Sequence, residues 1–190
     1  QTAEHYGLGL TLGNAEARLL ELANAYACLA RLGEYRPFRL LGGDPKEIQR
    51  IFNRRAAWWV ADILADSNAR ISSFGTHSAL EFDFPVACKT GTSSDFRDNW
   101  AFGYTPKFTV GVWVGNFDGA PMQGVSGVTG AAPIMRDVVE HLNDMGESGW
   151  YSRPEGLVAC RINAITGKRM SASGDFATKH PLEWLPLDRL

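Results

Sequence analysis

Hydrophobic spacing changes period as the chain is followed from its start. From Asn14 to Leu32, the residues Leu19, Leu22, Ala23, Tyr26, Leu29 and Ala30 recur at the three-and-four spacing of one helical face. With Gly33 as a stop, the segment predicts a helix. Arg36 to Ile51 is broken by Pro37, Gly42-Gly43 and Asp44-Pro45, and reads as a loop with a short strand near Gln49 to Ile51. Asn53 caps a second predicted helix with the stripe Ala56, Trp59, Val60, Ile63 and Leu64, ending around Asp66 to Asn68. Neighbouring helical residues face different directions, so this stripe assigns Trp59 to the core and Trp58 to a partner surface or a second packing layer. Ser72 to Pro85 shows no period and reads as a surface excursion.

Three short β-branched and aromatic runs follow, Val86 to Thr92, Asn99 to Tyr104 and Phe108 to Asn116, separated by Ser93 to Asp98 and by Thr105-Pro106-Lys107. They predict an antiparallel meander. Alternation puts Trp100, Phe102 and Tyr104 on one face, with Ala101 and Gly103 opposite. Phe108, Val110, Val112 and Val114 share a face in the next strand, opposite Gly111, Trp113 and Gly115. Asp118-Gly119 is a turn, and Gly124 to Gly130 reads as a loop that must approach other backbone tightly. Pro133 near the start of Ala132 to Asn143 predicts a helix with Ile134, Val138, Val139 and Leu142 as its buried stripe. The helices at Leu19 to Leu32 and Ala132 to Asn143 are expected on opposite faces or ends of the sheet. Composition shifts after Gly146. Residues 1–147 are therefore read as one domain, and 148–190 as a linker with a small hairpin, Leu157 to Ile162 turning at Ala164 to Gly167 into Lys168 to Met170. The fold class expected is α/β of the α+β type, an antiparallel sheet flanked by helices.

Composition narrows the function classes. Six Trp, ten Phe and five Tyr among 190 residues argue for a packed core. Nineteen Lys and Arg against 21 Asp and Glu leave a net charge of -2 without a basic stripe, so no nucleic-acid partner is expected. Cys28, Cys88 and Cys160 lie far apart and make no zinc spacing with His5, His77, His141 or His180, so no metal and no cofactor is expected. The most apolar run, Phe108 to Phe117, is interrupted by Gly111 and Gly115 and falls short of the roughly 20 residues that cross a bilayer. Gln1-Thr2-Ala3-Glu4 opens without an initiator methionine, which fits a piece taken from inside a longer protein.

The sharpest chemical signal is Lys89-Thr90-Gly91-Thr92-Ser93 at the end of the first strand of the meander. An ammonium, two directed hydroxyls and a strand edge suit a peptide that ends in a free carboxylate. Gly91 leaves room for a substrate backbone, and the N–H after it can point at a tetrahedral oxyanion. A tripeptide of this kind arises by chance in on the order of a few per cent of chains this long, so it needs context. Cys88 reads as a small buried residue, Gly167-Lys168 as a hairpin turn with no P-loop spacing.

That context is long. Val86 to Ser93, Asp98 to Pro106 and Val110 to Gly119 resemble the transpeptidase domain of class A penicillin-binding proteins. The resemblance continues through Gly130 to Val138 and, upstream, through Gly7 to Gly13 and Leu19 to Ala27, covering roughly residues 5 to 145. Asp98-Asn99-Trp100 and Gly115 to Gly119 look most like the 1C subtype. The resemblance implies a β-lactamase/DD-peptidase-like transpeptidase fold and a D,D-transpeptidase that acylates a serine with the penultimate D-Ala of a peptidoglycan stem peptide, then passes it to an amine. In that scheme Lys89 stabilises the anionic substrate and the local proton network, the Thr90 and Thr92 hydroxyls hold the terminal carboxylate beside Gly91, and the Thr92 N–H completes the oxyanion hole. Implied partners are the D-Ala-D-Ala stem peptide, β-lactams and the missing N-terminal part of the same protein. The implied address is periplasmic, at the extracytoplasmic face of the inner membrane, with any membrane contact through an anchor outside this chain.

The sequence departs from the family in one respect: no serine is followed three residues later by lysine. Ser67 has Arg70 there, Ser94 has Arg97 and Ser78 has Glu81, none of which serves as the neutral base a serine nucleophile needs. No Ser-x-Asn occurs either. Both elements precede the Lys-Thr-Gly strand in the family, so this chain is expected to begin downstream of them and to be inactive alone. Two other readings remain, a β-lactamase-like hydrolase and a non-catalytic ligand-binding module on the same fold.

Overall fold

The computed structural model describes residues 3–43, 47–163, 166, 168–169 and 182–186. Its helices are α1 (Ala3–Tyr6), α2 (Leu19–Ala30), α3 (Arg54–Ala65), α4 (Ser67–Phe74) and α5 (Ala131–Asp144), with 3-10 turns at Gly7–Leu12 and Ser94–Phe96. The strands are β1 (Glu34–Tyr35), β2 (Gln49–Arg50), β3 (Ala87–Thr92), β4 (Asp98–Tyr104), β5 (Thr109–Gly115), β6 (Leu157–Arg161) and β7 (Leu182–Pro186). The chain divides into two compact units, Gln1–Tyr151 and Ser152–Leu190. Among the described residues no helix is long and apolar enough to cross a membrane.

In the first unit β3, β4 and β5 form the expected antiparallel meander, with β4 in the centre and every strand within a residue of its predicted bounds. The small residues of β4 and β5 decide how closely helices approach. Tyr26 of α2 stacks on Phe102 at 4.4 Å between ring centroids, and a Cβ on Gly111 would meet Leu19 at 3.3 Å. On the opposite face, a Cβ on Gly103 would stand 2.5 Å from Met135 Sδ of α5. Phe102 and Gly103 are neighbours in one strand, so α2 and α5 cover opposite faces, as the alternation predicts. The α5 side holds the main core, where Cys88, Ala101, Val110, Ala131, Ala132, Met135 and Val139 pack with Leu80 and Val86. The α2 side holds a smaller one built on Ala30, Ala61, Ala87 and Tyr104, against which Trp150 and Tyr151 pack. There the Tyr151 hydroxyl donates to Ala30 O at 2.8 Å.

Several local expectations change. The first predicted helix starts at Leu19, not Asn14, and the Asn53 cap is formed, its side chain accepting from Arg55 N at 2.8 Å. Helix α3 is turned relative to its predicted stripe: Ala57, Trp58 and Ala61 are buried, while Ala56, Val60 and Ile63 are exposed and Trp59 is half-buried. Small Ala57 and Ala61 let the α3 backbone come close to β3, and Trp58 is buried while Trp59 is half-buried, which reverses the roles assigned to the two tryptophans. In α5 the same shift buries Met135 with Val139 and leaves Ile134 and Val138 exposed. Asp66 ends α3 and its carboxylate caps α4, so Ser72 to Phe74 are helical rather than part of a surface excursion.

In the second unit β6 pairs antiparallel with β7, a strand the sequence did not announce. Among the described residues of the expected return strand, Arg169 bridges Ile162, and Asn163 N donates to Lys168 O at 2.8 Å. Ala164, Ile165, Gly167 and Met170 of that expected hairpin lie outside the described residues.

Candidate active site

Lys89, Thr90, Gly91 and Thr92 all lie on β3, the edge strand of the meander. Their pairing is regular: Lys89 faces Phe102, Thr90 faces Ala101, Gly91 faces Trp100 and Thr92 faces Asn99. One position further on, Ser93 N donates to Asp98 O at 2.9 Å, which makes that pair a hydrogen-bonded one. Antiparallel ladders alternate, so the N–H and C=O groups of Thr92 and Thr90 turn away from β4 toward the open edge. An extended ligand laid along β3 would find those groups free of ladder bonds.

The side chains divide between the two faces. Thr90 and Thr92 stand on the face of Ala101 and Asn99, Lys89 and Gly91 on the face of Phe102 and Trp100. Lys89 is exposed, and its Nζ donates to Thr90 O at 2.6 Å. Thr92 Oγ1 accepts the Gly127 N–H at 2.9 Å. A Cβ on Gly91 would lie 3.6 Å from Trp100 Cβ, an ordinary contact, so nothing within the described chain demands glycine there. Gly127 is the demanding position: its Cβ would stand 2.6 Å from Gly91 O and 2.8 Å from Trp100 O. The glycine-rich segment therefore approaches backbone tightly, as the sequence suggests, and the backbone it approaches is the Lys-Thr-Gly strand and its neighbour.

Asn99, opposite Thr92, is fully buried and donates from Nδ2 to Val125 O at 2.8 Å. The β3–β4 turn is fixed separately, by Asp98 N donating to Ser93 Oγ at 2.8 Å and by Trp113 Nε1 donating to Asp98 Oδ1 at 2.9 Å. An open groove of about 660 Å³ passes Thr92, between Asn14–Ala17 and the Ser93–Asp98 turn, with Trp100 in its wall. The sequence marks Asn99 only within the Asp98-Asn99-Trp100 subtype signal and Gly127 only within the tight Gly124 to Gly130 loop, and assigns neither a role at the site.

Cys88 points from β3 into the α5 core, and burial pushes its thiol up to about 12, with Arg70 pulling weakly the other way. A thiol so protonated is a poor nucleophile. In the folded chain at pH 8, Cys88 is expected to escape iodoacetamide while the urea-unfolded chain reacts fully. Rapid alkylation of Cys88 in the folded chain, read by peptide mass, would contradict its structural role.

No family model matches the chain. Over 131 residues it is 37% identical to penicillin-binding protein 1C of Escherichia coli (strain K12), covering 69% of this chain and 16% of that protein. It is 26% identical over 204 residues to penicillin-binding protein 2D of Bacillus subtilis (strain 168), covering 95% of this chain and 29% of that one. The crystal structure of penicillin-binding protein 1A from Haemophilus influenzae superposes with a TM-score of 0.71 at 17% identity, over 94% of this chain and 33% of that chain, a likeness of fold. The chain thus spans under a third of the length of these relatives. With the ordered motifs around Lys89-Thr90-Gly91 and the antiparallel sheet flanked by helices, these matches show that the chain belongs to the class A penicillin-binding proteins, as part of their transpeptidase domain, akin to the 1C subtype.

Proposed function

We propose that the chain is the ligand-receiving part of a peptidoglycan D,D-transpeptidase. The observation that supports this most is the open edge of β3, where the main-chain groups of Thr90 and Thr92 are turned outward beside two threonine hydroxyls and the Lys89 ammonium. A stem peptide ending in D-Ala-D-Ala lies along that edge as an added strand. The Thr90 and Thr92 hydroxyls donate to its terminal carboxylate, and Gly91, on the other face, leaves room for the ligand backbone beside Trp100. The Thr92 N–H faces the carbonyl of the penultimate D-Ala and stabilises the oxyanion that forms when a serine oxygen attacks. Lys89 adds positive charge to the anionic substrate. The terminal D-Ala leaves, and an acceptor amine takes the acyl group from the serine. The serine and its base come from sequence outside these 190 residues. β-Lactams enter by the same edge because they carry a carboxylate beside a reactive carbonyl. The protein works in the periplasm, at the extracytoplasmic face of the inner membrane, through an anchor also outside this sequence.

The test is acylation of the complete parent protein by a fluorescent penicillin. Removing one hydroxyl donor with Thr92→Ala costs roughly 1.5 to 3 kcal/mol for a charge-assisted bond, so the second-order acylation rate should fall about tenfold to a hundredfold. An unchanged rate would remove Thr92 from the binding machinery.

A further inference from the structure

The Thr92 hydroxyl is constrained from behind. A hydroxyl has one proton to donate and two lone pairs to accept with, and the Gly127 N–H occupies one lone pair at 2.9 Å. The Thr92 proton cannot point at that N–H, so it is left to the remaining directions, and Thr92 is exposed. The position of Gly127 is in turn fixed on several sides. Its backbone is wedged where a Cβ would strike Gly91 O and Trp100 O, its own carbonyl accepts from Ala132 N at 2.8 Å, and Gly130 N donates to Ser126 O at 2.8 Å.

Asn99 is the anchor of this arrangement. It reaches from β4 to Val125 O, two residues before Gly127, across 26 positions of sequence. Its side chain is wholly buried, and among the described residues its Oδ1 accepts no hydrogen bond. The Nδ2 bond therefore ties β4 directly to the loop that carries Gly127.

We propose that Asn99 and the loop from Met122 to Gly130 are a positioning device that presets the Thr92 hydroxyl as a donor for an anionic ligand group, specifically a carboxylate. Asn99 touches no ligand and acts through Gly127. The inference rests on β3 being the ligand strand and adds to that reading the source of its preference for a charged terminus. A hydroxyl oriented before binding loses less freedom on binding, and the benefit falls only on a ligand able to accept strongly at that point.

The experiment compares acylation of the complete parent protein by benzylpenicillin and by its methyl ester, which keeps the reactive ring and lacks the carboxylate. Asn99→Leu keeps the γ-branched shape without the donor, at somewhat greater volume, and Asn99→Ser is a second, smaller variant, with folding of both checked by circular dichroism. Each should slow the acid by about tenfold or more, the worth of roughly one hydrogen bond to a charged group, while the ester rate stays within about twofold. In a Thr92→Ala background, Asn99→Leu should slow the acid no further, because the hydroxyl it orients is gone. Equal losses for acid and ester, additive losses in the double variant, or no loss in either variant would overturn the positioning role. A parent protein that neither compound acylates would instead sink the transpeptidase reading itself, and the inference with it.

Discussion

Incubated with an excess of benzylpenicillin, the 190-residue chain is expected to gain no mass. Covalent capture requires a serine oxygen beside a neutral base and about 3 Å from the lactam carbonyl. The serines nearest the Lys-Thr-Gly strand are committed elsewhere or poorly partnered. Ser93 Oγ accepts from Asp98 N, and Ser94 is followed three residues later by Arg97, whose guanidinium lies 3.8 Å from Asp95. Arg70, three residues after Ser67, donates to the carbonyls of Leu64 and Leu80. A guanidinium keeps its proton throughout the accessible pH range and cannot take one from serine. Electrospray mass spectrometry of the intact chain reads the outcome directly: a stoichiometric penicilloyl increment on any serine would show that the nucleophile is present here and has been misassigned. The complete parent protein, treated in the same way, should carry one adduct.

Removing the Trp58 ring is expected to cost about 3 to 5 kcal/mol of folding free energy, whereas Trp59→Ala should cost about 1 kcal/mol or less. Trp58 is 3% exposed, next to the buried Ala57, and truncating it would leave a cavity that small neighbours cannot fill. Trp59 is half-buried, so its loss removes less contact. Urea denaturation of both variants separates the cases by the shift in midpoint at constant slope. The opposite order of effects would mean that α3 presents the Trp59 stripe to the core after all.

That contrast also marks where the sequence stopped being readable. The meander was legible because period two leaves little choice: once Phe102 and Tyr104 share a face, Ala101 and Gly103 must take the other, and the helices follow. In α3 and α5 apolar residues occupy more than one face, so periodicity offers competing stripes. Close approach settles the matter, through Ala57 and Ala61 against β3 and through Met135 against Gly103. Strand β7 was missed because a short strand far from its partner carries no local signal of pairing. The Lys-Thr-Gly strand was visible as a motif, but its support was not. Gly127 reaches Thr92 from 35 residues away, and Asn99, part of the Asp98-Asn99-Trp100 subtype signal, carries no mark in the sequence of its burial or of its bond to Val125 O.

An edge that welcomes an extended peptide has no intrinsic means of refusing one of the wrong kind. The outward-turned groups of Thr90 and Thr92 would template a strand from a second copy of the chain as readily as a ligand, which is how exposed sheet edges seed aggregation. Lys89 sits where such an encounter begins, its ammonium resting on the Thr90 carbonyl. A neutral strand sliding in must displace that charge and strand it against an apolar newcomer, while a peptide bearing its own carboxylate gives the ammonium a new partner as it is displaced. If β3 is the ligand strand, as proposed, the lysine would act as a gatekeeper before any chemistry starts, favouring anionic guests over a second copy of the chain. On this account, neutralising it with Lys89→Met would shift the chain from a selective edge toward an adhesive one.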